Sequence, residues 1–595
     1  MKPMPPPVIN RVRNLASYAV DLITALGTDT VFTLTGGMAM HLNRAVATLP
    51  ELKAVYCQHE QACVAAAEGY AQAANFRKAG FAVVTAGPGV SNSVTSLLSA
   101  YADSVPVIVL AGQVKTGDID VFSTRTHGVQ EIHSEALVTP CVKRFTRLHA
   151  TGYREAMVEA LAEAFAGRPG PVFIEIPLDV QGTRASYTET DIASDAECVR
   201  QTGSLKPGQD LLEIAGCLKE LLKSKKPLLY IGNGCRIAGV EEAVRCFVSR
   251  HNIPAVFSWL SFDILSSGSP LHFGCPGGLA PISSNQILNA ADTIVFLGAR
   301  LDLGTTAFQR EAFGGQAIRY LVDVDPSELA KFHGFARTVR VKADLRALPL
   351  AIADGLLETE CASKTSWLRW CMERRDSYLA EERRRLKSDK LNVYGIAERL
   401  SRWSDGKVIV PASAGYAEET LTRFFAPGND TRFFNGAGLG SMGLGLSHAI
   451  GASFATQKQI FCLEADGGLM FNVQELATLV QYAPKNFVLF VLNNGGYESI
   501  RVSQMKHFGS VSGVDGDSGV FIPDFAKIAD AFGIRYILVK TLDELDSLLP
   551  RLAAESAPVL VDLRIDRLEY RGPSVKTVIG ADGKPYSSPL SEMSW

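Results

Sequence analysis

Two glycine-rich segments carry oxygen-bearing side chains directly after apolar runs. Asp466 follows the run at 460–463, and Asn494 follows the run at 487–492. If these runs are neighbouring parallel strands, the carboxylate and the carboxamide lie side by side at one edge of a sheet. Such oxygen ligands suit Mg²⁺, which fills its other positions with phosphate oxygens and water, and glycine N–H groups can approach a diphosphate. Asp-Gly and Asn-Gly are also ordinary turn sequences, so the prediction of a diphosphate–Mg²⁺ site rests on the two segments occurring together.

Strands, glycine turns and helices alternate along most of the chain. Apolar runs at 30–34, 81–85 and 105–111 each lead to glycines, and comparable units begin near 227 and 408. This alternation is typical of parallel sheets with helices on both faces. We therefore predict an α/β fold of three doubly wound parallel-sheet domains, with binding sites at the carboxyl ends of the strands.

The predicted boundaries follow changes in composition. The three domains are expected at 1–185, 205–357 and 375–570, and a polar tail rich in proline and serine at 571–595. The weakly patterned stretch 182–209 predicts a linker. The densely charged stretch 367–390 predicts a solvated connecting helix.

The composition excludes several classes of protein. The 595 residues are 47% hydrophobic and 20% charged, with a net charge of -3. This balance is typical of globular α/β domains and gives no reason to expect nucleic acid or a membrane surface as a partner. The 11 cysteines form no C-x-x-C pair, and no secretory signal pattern begins the chain, so we expect a cytoplasmic protein. The uncharged runs at 79–102 and 433–457 hold too many glycines and polar residues for bilayer-spanning helices.

Taken together, the two glycine-rich segments resemble the metal signature of the thiamin-diphosphate (ThDP) enzymes, a Gly-Asp-Gly followed one strand later by Asn-Asn. Ala465 replaces the first glycine. The resemblance implies that Mg²⁺ is bound by Asp466, Asn494 and the main-chain oxygen of Gly496. Asn493 could take the side-chain role instead, because the sequence does not determine which asparagine faces the metal.

The resemblance also implies a glutamate that activates the cofactor at its aminopyrimidine ring. Glu60, in the His-Glu motif after the apolar run at 54–56, is the candidate. Taken alone, this residue would be only a favourable charge in the first turn of a helix. In this family the glutamate and the diphosphate site belong to different subunits, which implies an obligate homodimer or homotetramer.

Residues 438–443, here called the wedge segment, resemble the part of the family that holds the cofactor bent. By this resemblance Met442 supports the bent conformation, and the carbonyl of Gly440 binds the amino group of the pyrimidine. A methionine is otherwise an ordinary core residue. The remaining implied ThDP contacts are Thr85, Gly87, Asn92, Gly415, Ser441, Gly467, Gly468 and Tyr497.

Within the family, the chain resembles the acetolactate-synthase-like, flavin-containing group. Gln130 stands in a Gly-Val-Gln-Glu run similar to that group's segment with an active-site glutamine, which makes it the candidate to bind the donor acid, and Lys143 also fits. The decarboxylase branch uses adjacent histidines here, whereas His127 and His133 are separated. The resemblance therefore implies pyruvate as the donor and carboligation rather than release of an aldehyde.

The middle domain resembles the group's FAD-binding version. A Gly-x-Gly turn after a strand is common, and an empty Rossmann-like domain is the alternative, but several such turns occur together with a matching Gly-Ala-Arg. The implied FAD contacts are Gly232, Gly234, Gly274, Arg300, Asp302, Asp323 and Asp344. In carboligases of this group the flavin is structural.

One departure from the group concerns the acceptor. The group typically continues Gly-Ala-Arg with Phe-Asp-Asp-Arg, whose last arginine recognises a carboxylate, and here Gly304 occupies that place. The group's tryptophan after the metal signature is also missing from 495–509. Without a bidentate cationic partner, we expect a ketone acceptor that lacks a carboxylate. Carboligases of branched-chain sugar biosynthesis, as in yersiniose formation, fit this description, since they transfer the acetyl unit of pyruvate to a nucleotide-linked 4-keto-deoxysugar.

Further features and alternatives remain open. The tail at 576–593 is similar to this sugar branch, and Arg501, Lys506 and His507 could meet the phosphates of a sugar nucleotide. The alternatives are a true acetolactate synthase with a rearranged acceptor site, a flavin-dependent oxidase such as pyruvate oxidase, and a non-catalytic subunit. A non-catalytic subunit would be expected to lose Glu60 or the metal signature.

Overall fold

The computed structural model describes residues 13–593 except 126, 203–207, 354–355, 358–363, 389, 483, 485–486, 554, 568–571, 580–582 and 584. The first sheet contains β1 (Thr30–Thr33), β2 (Lys53–Tyr56), β3 (Gly80–Val84), β4 (Val107–Gln113), β5 (Arg144–Arg147) and β6 (Val172–Pro177). Its helices are α1 (Leu15–Ala25), α2 (Met40–Ala47), α3 (Glu60–Ala73), α4 (Pro88–Ala102), α5 (Ser134–Val138), α6 (Tyr153–Phe165), α7 (Leu178–Gly182) and α8 (Glu189–Thr202).

The second sheet contains β7 (Pro227–Ile231), β8 (Ala255–Phe257), β9 (Thr293–Leu297), β10 (Ile318–Asp323) and β11 (Thr338–Lys342). Its helices are α9 (Gly208–Lys223), α10 (Gly234–Ile237), α11 (Glu241–His251), α12 (Ile282–Ala290), α13 (Pro326–Ala330) and α14 (Leu348–Ala351). The charged helix α15 (Thr365–Leu386) follows. It is solvated on one side only, because Trp367 and Cys371 are buried against the second sheet's domain.

The third sheet contains β12 (Val408–Pro411), β13 (Arg432–Phe433), β14 (Ile460–Ala465), β15 (Phe487–Asn493), β16 (Arg535–Val539) and β17 (Val559–Arg564). Its helices are α16 (Val393–Arg402), α17 (Gly415–Phe424), α18 (Leu444–Ala455), α19 (Asp466–Leu469), α20 (Glu475–Tyr482), α21 (Glu498–Phe508), α22 (Phe525–Phe532) and α23 (Leu542–Leu552).

Every strand pairing within these three sheets is parallel, which confirms the predicted α/β fold of three parallel-sheet domains. Central strands such as β4 and β15 are buried along their whole length, as expected when helices cover both faces. The strand orders are β2-β1-β3-β4-β6-β5, β11-β10-β9-β7-β8 and β13-β12-β14-β15-β17-β16. In each sheet the second strand lies on one side of the first strand and the later strands lie on the other side. Such a switch point opens a crevice at the carboxyl edge. The exact domain boundaries stay a prediction.

The predicted linker at 182–209 is partly wrong. Helix α8 occupies 189–202 and packs Ile192, Ala196 and Val199 into the core of the first domain. These residues are spaced four and three apart, so they form one apolar stripe on an otherwise polar helix. The stripe was present in the sequence, but its three apolar residues were outweighed by the polar ones around them.

Helices α3 and α18 join the first and third domains with their backbones almost in contact. A Cβ atom on Gly69 would lie 2.1 Å from the carbonyl oxygen of His448, and one on Gly451 would lie 1.8 Å from that of Ala66. Glycine at both positions is therefore what allows this close crossing.

The polar tail packs against the second domain in its described residues. Strands β18 (Thr577–Ile579) and β19 (Pro585–Ser587) form an antiparallel hairpin. Leu590 is buried among apolar side chains of the second domain, and Gln309 Nε2 donates to the carbonyl of Ser588 at 2.7 Å.

None of the helices in the described part of the chain has both the length and the apolar character needed to cross a membrane.

Candidate cofactor and active site

Asp466 organises the carboxyl edge of the third sheet. It is the first residue of α19, directly after β14, and its side chain is fully buried. Its Oδ2 accepts the backbone N–H groups of Asn494, Gly495 and Gly496 at 3.1, 2.6 and 3.1 Å, and its Oδ1 accepts that of Gly467 at 2.6 Å. Burial raises the pKa of Asp466 to about 6, and the N–H groups oppose this rise. The carboxylate thus binds the backbone turn after β15, so the two glycine-rich segments lie side by side, as predicted.

The two asparagines after β15 have different environments. Asn493 is buried, and its Nδ2 donates to Oδ1 of Asp562 at 2.9 Å. Asn494 Oδ1 is also buried but has no hydrogen-bond partner among the described residues. Leaving a buried acceptor unsatisfied costs about 1–3 kcal/mol. This oxygen is therefore suited to bind an external ligand such as a metal ion. The structure therefore favours Asn494 over Asn493 as the metal-binding side chain.

The donor set around Asp466 fits Mg²⁺. The carboxylate, the partnerless Asn494 oxygen and the Gly496 carbonyl are all hard oxygen ligands. Gly496 has a φ of 150°, and a Cβ there would lie 2.1 Å from the Val514 carbonyl oxygen, so the segment needs glycine at this point. No group of three or more His, Cys, Asp or Glu side chains that could hold a metal occurs in the described ranges. A single carboxylate leaves positions for phosphate oxygens, which is the usual pattern for Mg²⁺.

The other predicted diphosphate-side residues surround the same edge. A Cβ on Gly467 would lie 2.4 Å from the Tyr497 ring, and one on Gly468 would lie 3.0 Å from Oε2 of Glu464. Gly415 opens α17 after the neighbouring strand β12, with a φ of 81° and no described atom within 4 Å of its Cβ position. The glycines thus leave room for Tyr497 on one side and open space on the other.

The wedge segment leads into α18 and is anchored at both ends. The N–H of Gly438 donates to Oδ2 of Asp103 at 3.2 Å, and the Gly443 carbonyl accepts from Nδ2 of Asn472 at 2.9 Å. Met442 is 38% exposed, so it does not belong to the buried core of this chain. Gly440 and Ser441 lie between the two anchors and are half-buried.

Glu60 lies at the carboxyl edge of the first sheet. It opens α3, with His59 as the N-cap, and is only 7% exposed. Asn92 Nδ2 donates to Oε2 of Glu60 at 3.0 Å. Thr85 lies nearby after β3, and its Oγ1 is buried without a partner among the described residues. The structure thus brings Glu60, Asn92 and Thr85 to one place, and the Thr85 hydroxyl remains available to a ligand.

Gln130 reaches the same edge through a close backbone contact. Gly87 has a φ of 62°, and a Cβ there would lie 2.4 Å from the Gln130 carbonyl oxygen. Gln130 itself has a φ of 61° and an exposed side chain. A positive φ in a residue other than glycine is a strained conformation found disproportionately at functional sites. The structure thus brings the backbone of Gln130 against Gly87, in the turn after β3 that also carries Thr85.

Lys143 lies at the opposite edge of the first sheet. It precedes β5, and its Nζ donates to the carbonyls of Glu163 and Ala166 at 2.6 and 2.7 Å. These carbonyls belong to the end of α6, where a cation satisfies free acceptors and the helix dipole. The interpretation of Lys143 as an active-site residue is therefore not supported, because the parallel strands carry Glu60 and Gln130 at the other edge.

Two residues from the third domain hold the segment on either side of Glu60, and neither was predicted from the sequence. Glu475 Oε1 accepts the N–H of Gln58 at 3.0 Å. Asn472 Nδ2, which also donates to the Gly443 carbonyl, lies 3.3 Å from Oε1 of Gln61. More than 400 residues separate each pair in the chain, and no local sequence signal indicated these contacts.

A cavity of about 870 Å³ lies where the three domains meet. The second domain supplies the turns after β7 and β9, which flank the switch point of its sheet. Gly234 and Gly298 let these two turns pack closely, since a Cβ on Gly234 would lie 2.7 Å from Gly298 Cα. Gly232 lies beneath them, with its Cβ position 2.0 Å from the Gly298 carbonyl oxygen. The size and the position suit a dinucleotide-sized ligand.

Two buried polar atoms in the cavity wall have no partner among the described residues, namely Tyr230 Oη and Asn233 Oδ1. Arg300 also lines the cavity, and its guanidinium donates to Asp302 at 2.8 and 3.2 Å and to the Ala102 carbonyl at 3.0 Å. Unsatisfied buried groups beside a guanidinium fit a polar, anionic ligand such as a flavin dinucleotide.

The three predicted acidic contacts line the cavity as well. Asp323 accepts the N–H of Asp325 at 2.9 Å, and burial raises its pKa to about 6. Asp344 accepts the N–H of Arg346 at 2.9 Å and pairs with its guanidinium, and Asp302 pairs with Arg300. Gly274 is not among the described residues that line the cavity. Its φ of 74° turns the chain beside Ser284 instead, so its predicted pyrophosphate contact has no structural support.

Arg501 is already bound within the chain. Its guanidinium donates to both oxygens of Glu498, at 2.9 and 2.7 Å, and to the carbonyl of Arg567. Lys506 and His507 are exposed near the end of α21. Arg567 has a contact that the sequence did not suggest, since its Nε donates to the carbonyl of Asn494 at 3.0 Å and so supports the turn after β15.

Three family models match the chain. They are the N-terminal TPP binding domain of the thiamine pyrophosphate enzymes at 13–137, the central domain at 214–350 and the C-terminal TPP binding domain at 413–563. Together they cover about two thirds of the chain, and each falls in a different one of the three parallel-sheet domains.

Curated relatives match over nearly the whole length. The acetolactate synthase isozyme 2 large subunit of Escherichia coli (strain K12) is 29% identical over 569 residues, covering 94% of this chain and 97% of the relative. Acetolactate synthase 1, chloroplastic, of Zea mays is 27% identical, covering 95% and 87%. The acetolactate synthase large subunit of Lactococcus lactis subsp. lactis (strain IL1403) is 26% identical, covering 95% of each chain.

Proposed function

The chain belongs to the thiamine pyrophosphate enzymes as an acetolactate-synthase-like, ThDP-dependent carboligase, and we propose that its acceptor is a nucleotide-linked 4-keto-deoxysugar. In the proposed reaction pyruvate and a proton combine with the ketone, carbon dioxide leaves, and the sugar gains a two-carbon branch with a tertiary alcohol. ThDP supplies the electron sink that makes this decarboxylation and carbon–carbon bond formation possible.

The observation that carries the proposed acceptor is the turn after Arg300. Gly304 lines the central cavity, and the described turn from 301 to 309 carries no cationic side chain. Arg300 on one side is already paired with Asp302. Arg310 on the other side donates to the carbonyl of Leu301 at 3.4 Å. The turn itself therefore offers a carboxylate acceptor no cation at the place of Gly304, whereas a neutral ketone needs none.

Each of the proposed site residues would then have one role. Glu60, oriented by Asn92, would hold a proton at the aminopyrimidine, and Gln130 would bind the donor acid. Asp466, Asn494 and the Gly496 carbonyl would hold Mg²⁺ against the diphosphate. The exposed Met442 would support the bent cofactor and exclude water from the reacting carbon.

FAD is proposed for the central cavity. Its support is the orphaned pair Tyr230 Oη and Asn233 Oδ1, together with Arg300 and the switch-point position of the glycine turns. In a carboligase of this kind no net oxidation occurs, so we assign the flavin a structural role and no redox step.

A homodimer is proposed because apolar side chains around the site are exposed in the single chain. Val129 beside Gln130, and Leu439 and Met442 in the wedge segment, are apolar and exposed in the single chain. Exposed apolar groups clustered around a site are typical of surfaces covered by a partner. A second copy would place its glutamate edge against the diphosphate edge of the first.

Acetolactate synthase is the second candidate, with a 2-keto acid as acceptor. The curated relatives described above all carry that name. This candidate requires a carboxylate-binding cation from a part of the chain other than the turn at 301–309.

A product assay separates the two candidates. The purified protein receives ThDP, Mg²⁺, FAD and pyruvate, either alone or with a CDP- or dTDP-linked 4-keto-6-deoxysugar. The proposal expects a two-carbon mass increase on the sugar and little acetolactate from pyruvate alone. Rapid acetolactate formation with an unchanged sugar would establish the second candidate instead. As a matched variant, Gly304→Arg should raise the use of a 2-keto acid relative to the sugar.

A further inference from the structure

Asp103 is a buried carboxylate where the three domains meet. It directly follows α4, the helix that begins after Gly87 at the glutamate edge of the first domain. Its side chain is buried and lines the central cavity. The ThDP and FAD assignments give it no task, although it lies between the two proposed cofactor sites.

The carboxylate anchors the wedge segment. Its Oδ2 accepts the N–H of Gly438 at 3.2 Å, and a Cβ on Gly438 would lie 2.2 Å from Oδ1. The other anchor of the segment is the Asn472 contact with Gly443. Leu439 and Met442, between the anchors, are about two fifths exposed. The position of the proposed wedge therefore depends on Asp103 at one end.

The same carboxylate is linked to the cavity wall of the second domain. Arg300 donates to the carbonyl of Ala102, the residue before Asp103. Burial raises the pKa of Asp103 to about 7, and the positive charge of Arg300 opposes this rise. Ala437 and Gly438 line the cavity together with Asp103 and Arg300. A ligand in this cavity would thus rest against the backbone that leads into the wedge segment.

We propose that Asp103 is a positioning residue that couples occupancy of the central cavity to the placement of the wedge segment. With the cavity filled, the backbone at 437–438 loses the free space on one side and stays hydrogen-bonded to Asp103. With the cavity empty, this backbone can move into the space, and Met442 moves with it. A flavin dinucleotide therefore strengthens ThDP binding without touching ThDP. The inference rests on the proposed flavin site.

Binding measurements test this coupling on the full-length protein. The affinity for ThDP in the presence of Mg²⁺ is measured by equilibrium dialysis with and without saturating FAD, and the affinity for FAD is measured by flavin fluorescence. In the wild type, FAD should strengthen ThDP binding about tenfold, and ThDP should strengthen FAD binding by the same factor, because coupling is reciprocal.

Three variants show whether Asp103 carries the coupling. In Asp103→Ala, the factor by which FAD strengthens ThDP binding should fall close to one, while the FAD affinity should change less than about threefold. Gly438→Ala should do the same, because its Cβ collides with a carboxylate that is still present. Glu328→Gln is the matched control. It removes a carboxylate of the cavity wall that pairs with Arg168 and Lys331, so it should keep the coupling factor.

The outcomes are distinguishable. Wild-type protein that binds FAD and ThDP with no coupling overturns the role of Asp103 and leaves the flavin site standing. Asp103→Ala with the full wild-type factor also overturns it. If Asp103→Ala does not fold, Gly438→Ala decides in its place. No binding of FAD to the wild type overturns the flavin site, and the inference with it.

Discussion

The first and third domains are built on the same scaffold but carry different polar side chains at their carboxyl edges. Both sheets have six strands in the same parallel order when each is numbered from its own first strand. Even a buried polar pair recurs between the fourth and sixth strands. Gln113 Nε2 donates to Glu175 at 3.0 Å in the first sheet, and Asn493 Nδ2 donates to Asp562 at 2.9 Å in the third. In both sheets the carboxamide lies two residues beyond the one that pairs with the acid.

The difference lies in the turns at the carboxyl edges. After its third strand the first sheet has Thr85 and Gly87, whereas the third sheet has Asp466. After the second strand, the first sheet leads to Glu60 at the start of α3, whereas the third leads through the wedge segment into α18. In the proposed assignment one scaffold would present a single acid to the cofactor's pyrimidine ring, and the other would present metal ligands to its diphosphate. The two domains share a fold, and the turns at the ends of their strands determine which polar groups each one presents.

The largest expected effect concerns the acid of the first domain. Glu60→Gln keeps the size of the side chain and its contact with Asn92 but removes the ionisable proton. We expect carboligation at saturating ThDP and Mg²⁺ to fall by about three orders of magnitude, within the usual range for a lost acid–base group. Steady-state turnover measures the loss, and an unchanged melting temperature shows that the fold is intact. Near-normal turnover would remove Glu60 from its role and end the contrast between the two edges.

The two neighbouring asparagines of the third domain should separate into a ligand and a structural residue. Asn494→Ala should raise the Mg²⁺ concentration needed to retain ThDP at least about tenfold, because Oδ1 of Asn494 has no partner among the described residues. Asn493→Ala should instead lower the free energy of unfolding by about 2 kcal/mol, since Asp562 loses a buried donor. Gln113→Ala in the first sheet is the matched control, with a similar loss of stability and unchanged Mg²⁺ dependence. The reverse assignment of the two asparagines would contradict the account.

The crossing of α3 and α18 should tolerate no added side chain. Gly451→Ala places a Cβ 1.8 Å from the Ala66 carbonyl oxygen, and overpacking of this kind costs about 3 kcal/mol. Chemical denaturation measures the loss. Gly216→Ala in α9 is the control, because nothing lies within 4 Å of its Cβ and alanine favours a helix by up to about 1 kcal/mol. Equal stability of the two variants would mean that the helices are not in close contact.

A pH dependence is expected at the contact between the first and third domains. Burial raises the pKa of Glu475 to about 7, above its value in an unfolded chain, so the folded state binds the extra proton. The stability that this proton contributes is present at low pH and is lost as the pH rises through about 7. In the wild type the free energy of unfolding should fall as the pH rises from about 5 to about 8. In Glu475→Gln this fall should be smaller by about 2 kcal/mol. Denaturation curves across that range measure it, and an unchanged slope would contradict the shifted pKa.

Residues close together in the sequence allowed much of the site to be predicted. Asp466 and the asparagines each follow a strand in a recognisable turn, and the three alternating units predicted the parallel sheets. The choice between Asn493 and Asn494 could not be made, because it depends on Asp562, which lies 69 residues away. Glu475 and Asp103 act on residues more than 300 positions distant, and such contacts leave no local pattern. Helix α8 was missed because three apolar residues stand among many polar ones.

The central claim is that two copies of the chain complete one ThDP site, with the acid edge from one and the metal edge from the other. Complementation tests it most directly. Glu60→Gln and Asp466→Ala chains, each inactive alone, are mixed, dissociated and reassociated. Half of the dimers are then mixed and hold one intact site each, so activity should return to about a quarter of the wild-type level. A mixture as inactive as its two components would contradict the claim and place both edges of the site within a single chain.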